Sequence, residues 1–64
     1  MKWYFSSGGY IKVYNGTKEA WFNIVDNLKI RVAWTVGEFT PADWDETLAC
    51  VKEAKSILKK VSKI

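Results

Sequence analysis

The sequence lacks histidine altogether, and Cys50 is the only cysteine among its 64 residues. Without histidine, neither a Ser-His-Asp nor a Cys-His catalytic arrangement can be assembled, and the usual zinc sites of small domains are excluded. A lone cysteine forms no internal disulfide and suits a reducing compartment. Because Cys50 falls in a helical apolar pattern, we expect a buried structural thiol rather than a nucleophile. The sequence therefore predicts that the protein is not an enzyme and has no cofactor.

Long apolar runs are absent as well. Met1-Lys2-Trp3-Tyr4-Phe5 starts like a signal peptide but is followed by Ser6-Ser7-Gly8-Gly9, so its apolar stretch is too short for a signal-peptide core. No segment approaches the roughly 18 to 20 apolar residues that a membrane span needs. We therefore expect a soluble, cytoplasmic protein without a membrane partner.

What the sequence does contain is enough apolar material for one small core. Hydrophobic residues make up 48% of the chain and aromatic residues 16%, which is typical of a globular protein rather than a disordered one. We expect residues 1–64 to form a single domain of marginal stability. The formal charge of +3 is a modest basic excess that attracts phosphates or acidic partners.

Turn signals divide the first 40 residues into four short segments. Ser6-Ser7-Gly8-Gly9 predicts a loop, Asn15-Gly16 a hairpin, and Asp26-Asn27 a second reversal. Aromatic and β-branched residues fill the segments between them, at residues 2–6, 10–14, 20–25 and 28–36. Together they predict a four-stranded antiparallel meander.

A long helix is predicted after Gly37-Glu38, with Thr40 as its N-cap and Pro41 in its first position. Its apolar stripe recurs at three- and four-residue steps and comprises Trp44, Leu48, Val51, Ala54, Leu58 and Val61. Early acids match the helix dipole, which explains Asp43, Asp45 and Glu46 without a metal site. The fold class is therefore α+β, with one C-terminal helix packed on one face of the sheet.

The predicted helix is longer than the predicted strands. Some twenty helical residues span about 30 Å, whereas strands of six or seven residues span about 20 Å. The helix end is therefore expected to overhang the sheet, leaving Ile57, Leu58, Val61 and Ile64 uncovered. We expect these residues to form a homodimer interface, and the alternative is that the end frays.

Strand alternation assigns the side chains of the sheet to two faces. One face contains Ile11, Val13, Ala20, Phe22 and Ile24, and it matches the apolar stripe of the helix. An odd number of loop residues at Asp26-Asn27 adds Ile30, Val32 and Trp34 to it and places Lys29, Arg31 and Thr35 opposite. A two-residue turn would reverse the last strand and bury charge, so the odd loop is preferred.

The second face is aromatic and basic, and six of its residues form the candidate binding site: Tyr10, Lys12, Tyr14, Trp21, Lys29 and Arg31. Binders of single-stranded nucleic acid stack bases on exposed rings and neutralise phosphates with Lys and Arg. Tyr, Trp and Arg are also enriched in protein hot spots. The first interpretation is single-stranded nucleic-acid binding. The alternatives are a virus- or phage-encoded module that inhibits a host protein, or a subunit of a larger assembly.

The order of elements resembles the positive cofactor four family of single-stranded DNA-binding transcriptional coactivators. Phe39-Thr40-Pro41-Ala42-Asp43-Trp44, leading to Leu48, is similar to that family's strand exit and helix start, and Gly9-Tyr10-Ile11-Lys12-Val13 to its glycine-led strand. The chain departs from the family at the acidic Gly37-Glu38 and in the spacing from Trp44 to Leu48. The resemblance implies dimerisation through the helix and binding of unpaired DNA on the sheet.

Overall fold

A computed structural model describes residues 1–25 and 29–62 of the chain and confirms the predicted α+β architecture. The strands β1 to β4 pair antiparallel in sequence order, and one helix, α1, follows them. Their bounds are Lys2–Ser6 for β1, Tyr10–Asn15 for β2, Lys18–Val25 for β3, Lys29–Val36 for β4 and Pro41–Ser62 for α1. The predicted Asp26-Asn27 reversal and the predicted strand start at Leu28 lie outside the described residues.

The hairpin between β2 and β3 sets the register of the central strands. Asn15 and Lys18 face each other across a two-residue turn, so the turn centres on Gly16-Thr17, one residue later than the Asn15-Gly16 signal. Gly16 has a φ of 59°, a conformation that glycine adopts without strain. The resulting pairs Ile11–Phe22 and Val13–Ala20 confirm the predicted face assignment of both strands.

The core lies between α1 and one face of the sheet, which we call the covered face. Its buried hydrophobic side chains come from β2, β3 and α1, namely Ile11, Val13, Ala20, Phe22 and Ala54. Helix α1 packs mainly against β2 and β1, at one side of the sheet. Val32 on β4 is therefore 55% exposed although it pairs directly with the buried Phe22. The prediction that Val32 belongs to the core is wrong for this reason.

The buried side of the helix differs from the predicted apolar stripe at one turn. Thr47 is completely buried, whereas Leu48 is 57% exposed. The Thr47 hydroxyl donates a hydrogen bond to the Asp43 carbonyl oxygen at 2.8 Å, so this polar side chain is satisfied inside the core. A threonine that bonds back to its own helix can take a core position, and hydropathy alone misassigns it.

A β-bulge in β4 changes the face of its last residues. Val32 pairs with Phe22 and Trp34 pairs with Trp21, so Ala33 is an extra residue without a partner. Such an insertion shifts the alternation by one residue. Trp34 therefore lies on the face opposite the core, and Thr35 lies on the core side opposite Ala20. Both predictions from strict alternation were wrong at this point.

The start of α1 is fixed by reciprocal capping. The Asp43 amide donates to the Thr40 hydroxyl at 3.2 Å, and the Thr40 amide donates to the Asp43 carboxylate at 2.9 Å. The predicted N-cap is therefore confirmed. The Lys18 ammonium donates to the same carboxylate at 2.6 Å. The hydrogen bond from Lys18 is the largest cause, and those from Thr40 are the next largest, of a fall in the Asp43 pKa from 3.8 to about 2.

We expect Asp43→Asn to flatten the loss of stability in acid. Because folding lowers the Asp43 pKa, the carboxylate contributes stability that is complete above pH 3.8 and is lost as the pH falls through about 2. Urea unfolding at neutral pH and at about pH 2 measures the difference. Asp45→Asn is the matched control, since the Asp45 side chain is exposed and forms no hydrogen bond or ion pair with another described residue. An equal acid dependence in wild type and Asp43→Asn would contradict this role.

Cys50 packs against the start of the chain, whereas the last turns of α1 are largely exposed. The Cys50 thiol is half-buried and lies 3.6 Å from the Met1 carbonyl oxygen, and burial raises its pKa, as suits a structural thiol. Ile57 is exposed and Val61 is 63% exposed, whereas Leu58 is half-buried and Ile64 lies outside the described residues.

In the described part of the chain, no helix combines the length and the apolar character needed to cross a membrane. The cytoplasmic location stays a prediction.

Candidate nucleic-acid interface

The sheet face that points away from α1, here called the open face, contains all six predicted site residues. The pairings Lys12–Trp21 and Asn23–Arg31 place them there, together with neighbours from every strand. Its described members include Lys2, Tyr4, Tyr10, Lys12, Tyr14, Glu19, Trp21, Asn23, Lys29, Arg31, Trp34 and Val36. Alternation in β2, β3 and the first part of β4 therefore predicted the composition of this face correctly.

Three rings from three strands converge into what we call the three-ring cluster, Tyr10, Trp21 and Trp34. The two indoles stack with centroids 4.9 Å apart and planes inclined by 16°. The Tyr10 ring meets both edgewise, at 5.4 Å from Trp34 and 6.1 Å from Trp21. Since Tyr10 lies on β2 and Trp34 on β4, the cluster bridges β3. Trp34 stays 44% exposed, so part of this ring surface is open to a ligand.

A second aromatic group, the tyrosine pair, lies toward β1. Tyr4 and Tyr14 meet edge to face at a centroid distance of 5.8 Å. The Lys12 ammonium lies between this pair and the three-ring cluster, at 5.8 Å from the Tyr4 ring, 5.5 Å from Tyr14 and 5.2 Å from Trp21. These distances are within the range of cation–π attraction. Lys12 therefore links the two aromatic groups.

Glu19 completes the arrangement around Lys12. Its carboxylate lies 3.5 Å from the Lys12 ammonium and accepts a hydrogen bond from the Trp21 indole N–H at 3.0 Å. One carboxylate thus restrains both the central cation and one indole. Lys12 is therefore compensated in charge and contacted by three rings, whereas its predicted role was to bind phosphate.

The remaining cations lie at the margins of the open face. Lys2 on β1 and Lys29 and Arg31 on β4 are exposed, and none forms an ion pair or side-chain hydrogen bond with another described residue. Cations with solvated, unpaired head groups are available to bind anions. The face therefore combines a central ring surface with positive charge at its two edges.

Several residues of this face were missed by sequence reasoning. The positions of Tyr4 and Lys2 on this face could have been predicted, because the alternation of β2 continues across the Ser6–Gly9 loop into β1. Glu19 was outside the predicted strand, which began at Ala20. Trp34 had no sequence signal, because only the bulge at Ala33 brings it to this side.

The described residues do not form a metal site. Within residues 1–25 and 29–62, no three acidic or cysteine side chains gather closely enough to hold a metal ion.

No family model matches the chain, and neither a curated protein nor a solved structure shows significant similarity to it. The resemblance to the positive cofactor four family therefore stays a prediction, and any function must be argued from the open face.

Proposed function

We propose that this protein is a non-enzymatic module that binds single-stranded nucleic acid on the open face of its sheet. Its main support is the convergence of five rings on a face that no described element covers. A stacked base typically contributes ~1–3 kcal/mol, so two occupied ring sites would give measurable affinity. Unpaired bases reach such a surface, whereas the bases of a duplex are stacked on each other and inaccessible.

The margins of the face are suited to the phosphates of the same strand. Lys2 lies at the β1 edge, and Lys29 and Arg31 lie at the β4 edge, on either side of the rings. A strand whose bases lie on the rings would bring its phosphates past these cations. In this proposal Lys12 has another role, since Glu19 already balances its charge and three rings surround it. It holds the tyrosine pair and the three-ring cluster in place.

The direct test is tryptophan fluorescence during titration with a mixed-sequence single-stranded oligonucleotide at two salt concentrations. Trp21 and Trp34 lie on the open face, whereas Trp3 and Trp44 pack against the core and supply a constant background. Saturable quenching that weakens with salt supports the proposal. A flat titration at low salt would contradict it and favour a protein partner for this face. A competing duplex of the same sequence should bind more weakly.

Lys12→Met should weaken binding without changing its salt dependence. If Lys12 organises the rings, its loss disorders them but removes no phosphate contact, so the slope of log K against log salt stays the same. Lys29→Met removes a phosphate contact and should reduce the slope by about 0.7, the value for one phosphate of a single strand. Titrations over a salt series measure both variants. A reduced slope in Lys12→Met would show that this ammonium contacts phosphate after all.

We further propose that the protein forms a homodimer through the end of α1. The helix has 22 residues, which corresponds to about 33 Å, and the strands beneath it have only five and six residues. Val61 and Ile57 are consequently exposed apolar residues in the last turns. We expect Val61→Asp to shift sedimentation from dimer to monomer, while Ser56→Asp on the outer surface of the helix has no effect. A wild-type monomer at high concentration would contradict the proposal.

A further inference from the structure

Two polar side chains of the open face lie beside the three-ring cluster and bond to no other side chain in the described part of the chain. Asn23 and Arg31 are direct cross-strand neighbours, which places their Cβ atoms about 5 Å apart. Neither forms a side-chain hydrogen bond or an ion pair with another described residue. They differ in this from Lys12 and Glu19, which are bound to each other. Their hydrogen-bonding groups are therefore available to a ligand.

The Asn23–Arg31 pair lies in the row next to the two stacked indoles. Asn23 is also the direct partner of Tyr10, so Tyr10, Asn23 and Arg31 form one row across three strands. Tyr10 leans along the sheet to contact both Trp21 and Trp34 in the neighbouring row. A base stacked on the exposed part of the cluster would therefore direct one edge toward the Asn23–Arg31 pair.

The chemistry of the pair matches one base better than the others. A guanidinium donates two parallel hydrogen bonds to the O6 and N7 acceptors of guanine, which is the commonest base-specific contact of arginine. The amide oxygen of Asn23 can accept from the N–H groups on the Watson–Crick edge of guanine, which is free in a single strand. Adenine and thymine offer Arg31 no comparable pair of adjacent acceptors. Cytosine offers one in O2 and N3, but its single ring covers less of the aromatic surface. Purines also cover more ring surface than pyrimidines.

We propose that Asn23 and Arg31 form a base-reading subsite that favours guanine at one position of the bound strand. This inference rests on the proposed function and specifies it: the three-ring cluster supplies stacking, and the polar pair selects the base. The other cations contribute affinity that is independent of sequence.

The experiment compares fluorescein-labelled oligothymidine strands that carry thymine, guanine, adenine or 7-deazaguanine at one central position. The guanine strand should bind roughly tenfold more tightly than the all-thymine strand, given the usual discrimination of a bidentate contact. Replacing guanine by 7-deazaguanine removes the N7 acceptor while keeping the ring system, so most of the preference should disappear. Fluorescence anisotropy measures each dissociation constant at one salt concentration.

Three variants separate base reading from general attraction. Arg31→Lys keeps the charge but not the bidentate geometry, so it should abolish the guanine preference while the all-thymine affinity changes little. Asn23→Ala should reduce the preference. Lys29→Met should weaken all strands equally and leave the ratio unchanged.

Each alternative outcome overturns a defined part of the inference. Equal affinity for the guanine and thymine strands, or undiminished affinity for 7-deazaguanine, would overturn the base-reading subsite while the proposed function stands. Failure of every strand to bind would overturn both.

Discussion

Phe22→Ala is expected to leave most of the protein unfolded at 25 °C. Phe22 is 3% exposed and belongs to the core cluster on the covered face. Removing a buried phenyl ring typically costs about 3–5 kcal/mol. A core of this size rarely supplies more than about 3–5 kcal/mol in total. Urea unfolding followed by far-ultraviolet circular dichroism measures the loss, at a concentration where the chain is monomeric.

Val32→Ala is the matched control for this substitution. Val32 is the direct cross-strand partner of Phe22 and points to the same side of the sheet, but it is 55% exposed. Its truncation should therefore cost only about 0.5 kcal/mol, as for most surface positions. A large cost in the monomeric Val32→Ala variant would show that α1 covers β4 in solution, contrary to the structure.

Trp34→Ala is expected to weaken nucleic-acid binding roughly tenfold to a hundredfold, which corresponds to the loss of one stacked base. The indole stacks on Trp21, contacts Tyr10 and remains 44% exposed. Folding should suffer much less than binding, because Trp34 lies opposite the core and loses mainly a stacking contact of about 1 kcal/mol. Anisotropy of a labelled single strand is the suitable measurement, since it does not depend on the deleted fluorophore.

Two further substitutions on β4 test whether the ring itself is responsible. Trp34→Phe keeps an aromatic surface and should recover part of the affinity. Val36→Ala changes a residue on the same strand and face that is 45% exposed but belongs to neither aromatic group. It should bind as wild type does. Equal losses in Val36→Ala and Trp34→Ala would show that the effect comes from β4 as a whole.

The elements and most of the candidate site could be predicted because their causes are local. Asn15 and Gly16 mark the hairpin, Thr40 and Pro41 mark the helix start, and each signal acts within a few residues. Alternation then places Tyr10, Lys12, Tyr14 and Trp21 on one face wherever the pairing is regular. The homodimer and the nucleic acid stay proposals that the experiments above test, and the family resemblance stays a prediction.

The contacts within the site could not be predicted in the same way. From the sequence, Lys12 was predicted to bind phosphate, because it lies on an open strand face beside aromatic residues. Lys12 contacts Tyr4 and Trp21, its direct partners on the two neighbouring strands, and Glu19 on a diagonal, so its engagement depends on the pairing of β1, β2 and β3. Such contacts are set by the register of three strands together, which no single segment of the sequence specifies.

The sequence by itself therefore determined the four strands, the helix and the regular part of each face, since turn residues, caps and hydrophobic periodicity act locally. Only the tertiary structure decided that Trp34 joins the open face, that Thr47 replaces Leu48 in the core, and that Val32 lies uncovered. These differences have one physical reason. The bulge at Ala33 and the position of α1 over β1 and β2 both depend on how the whole chain packs. A one-residue shift or a small helix rotation exchanges buried and exposed side chains without changing any local signal.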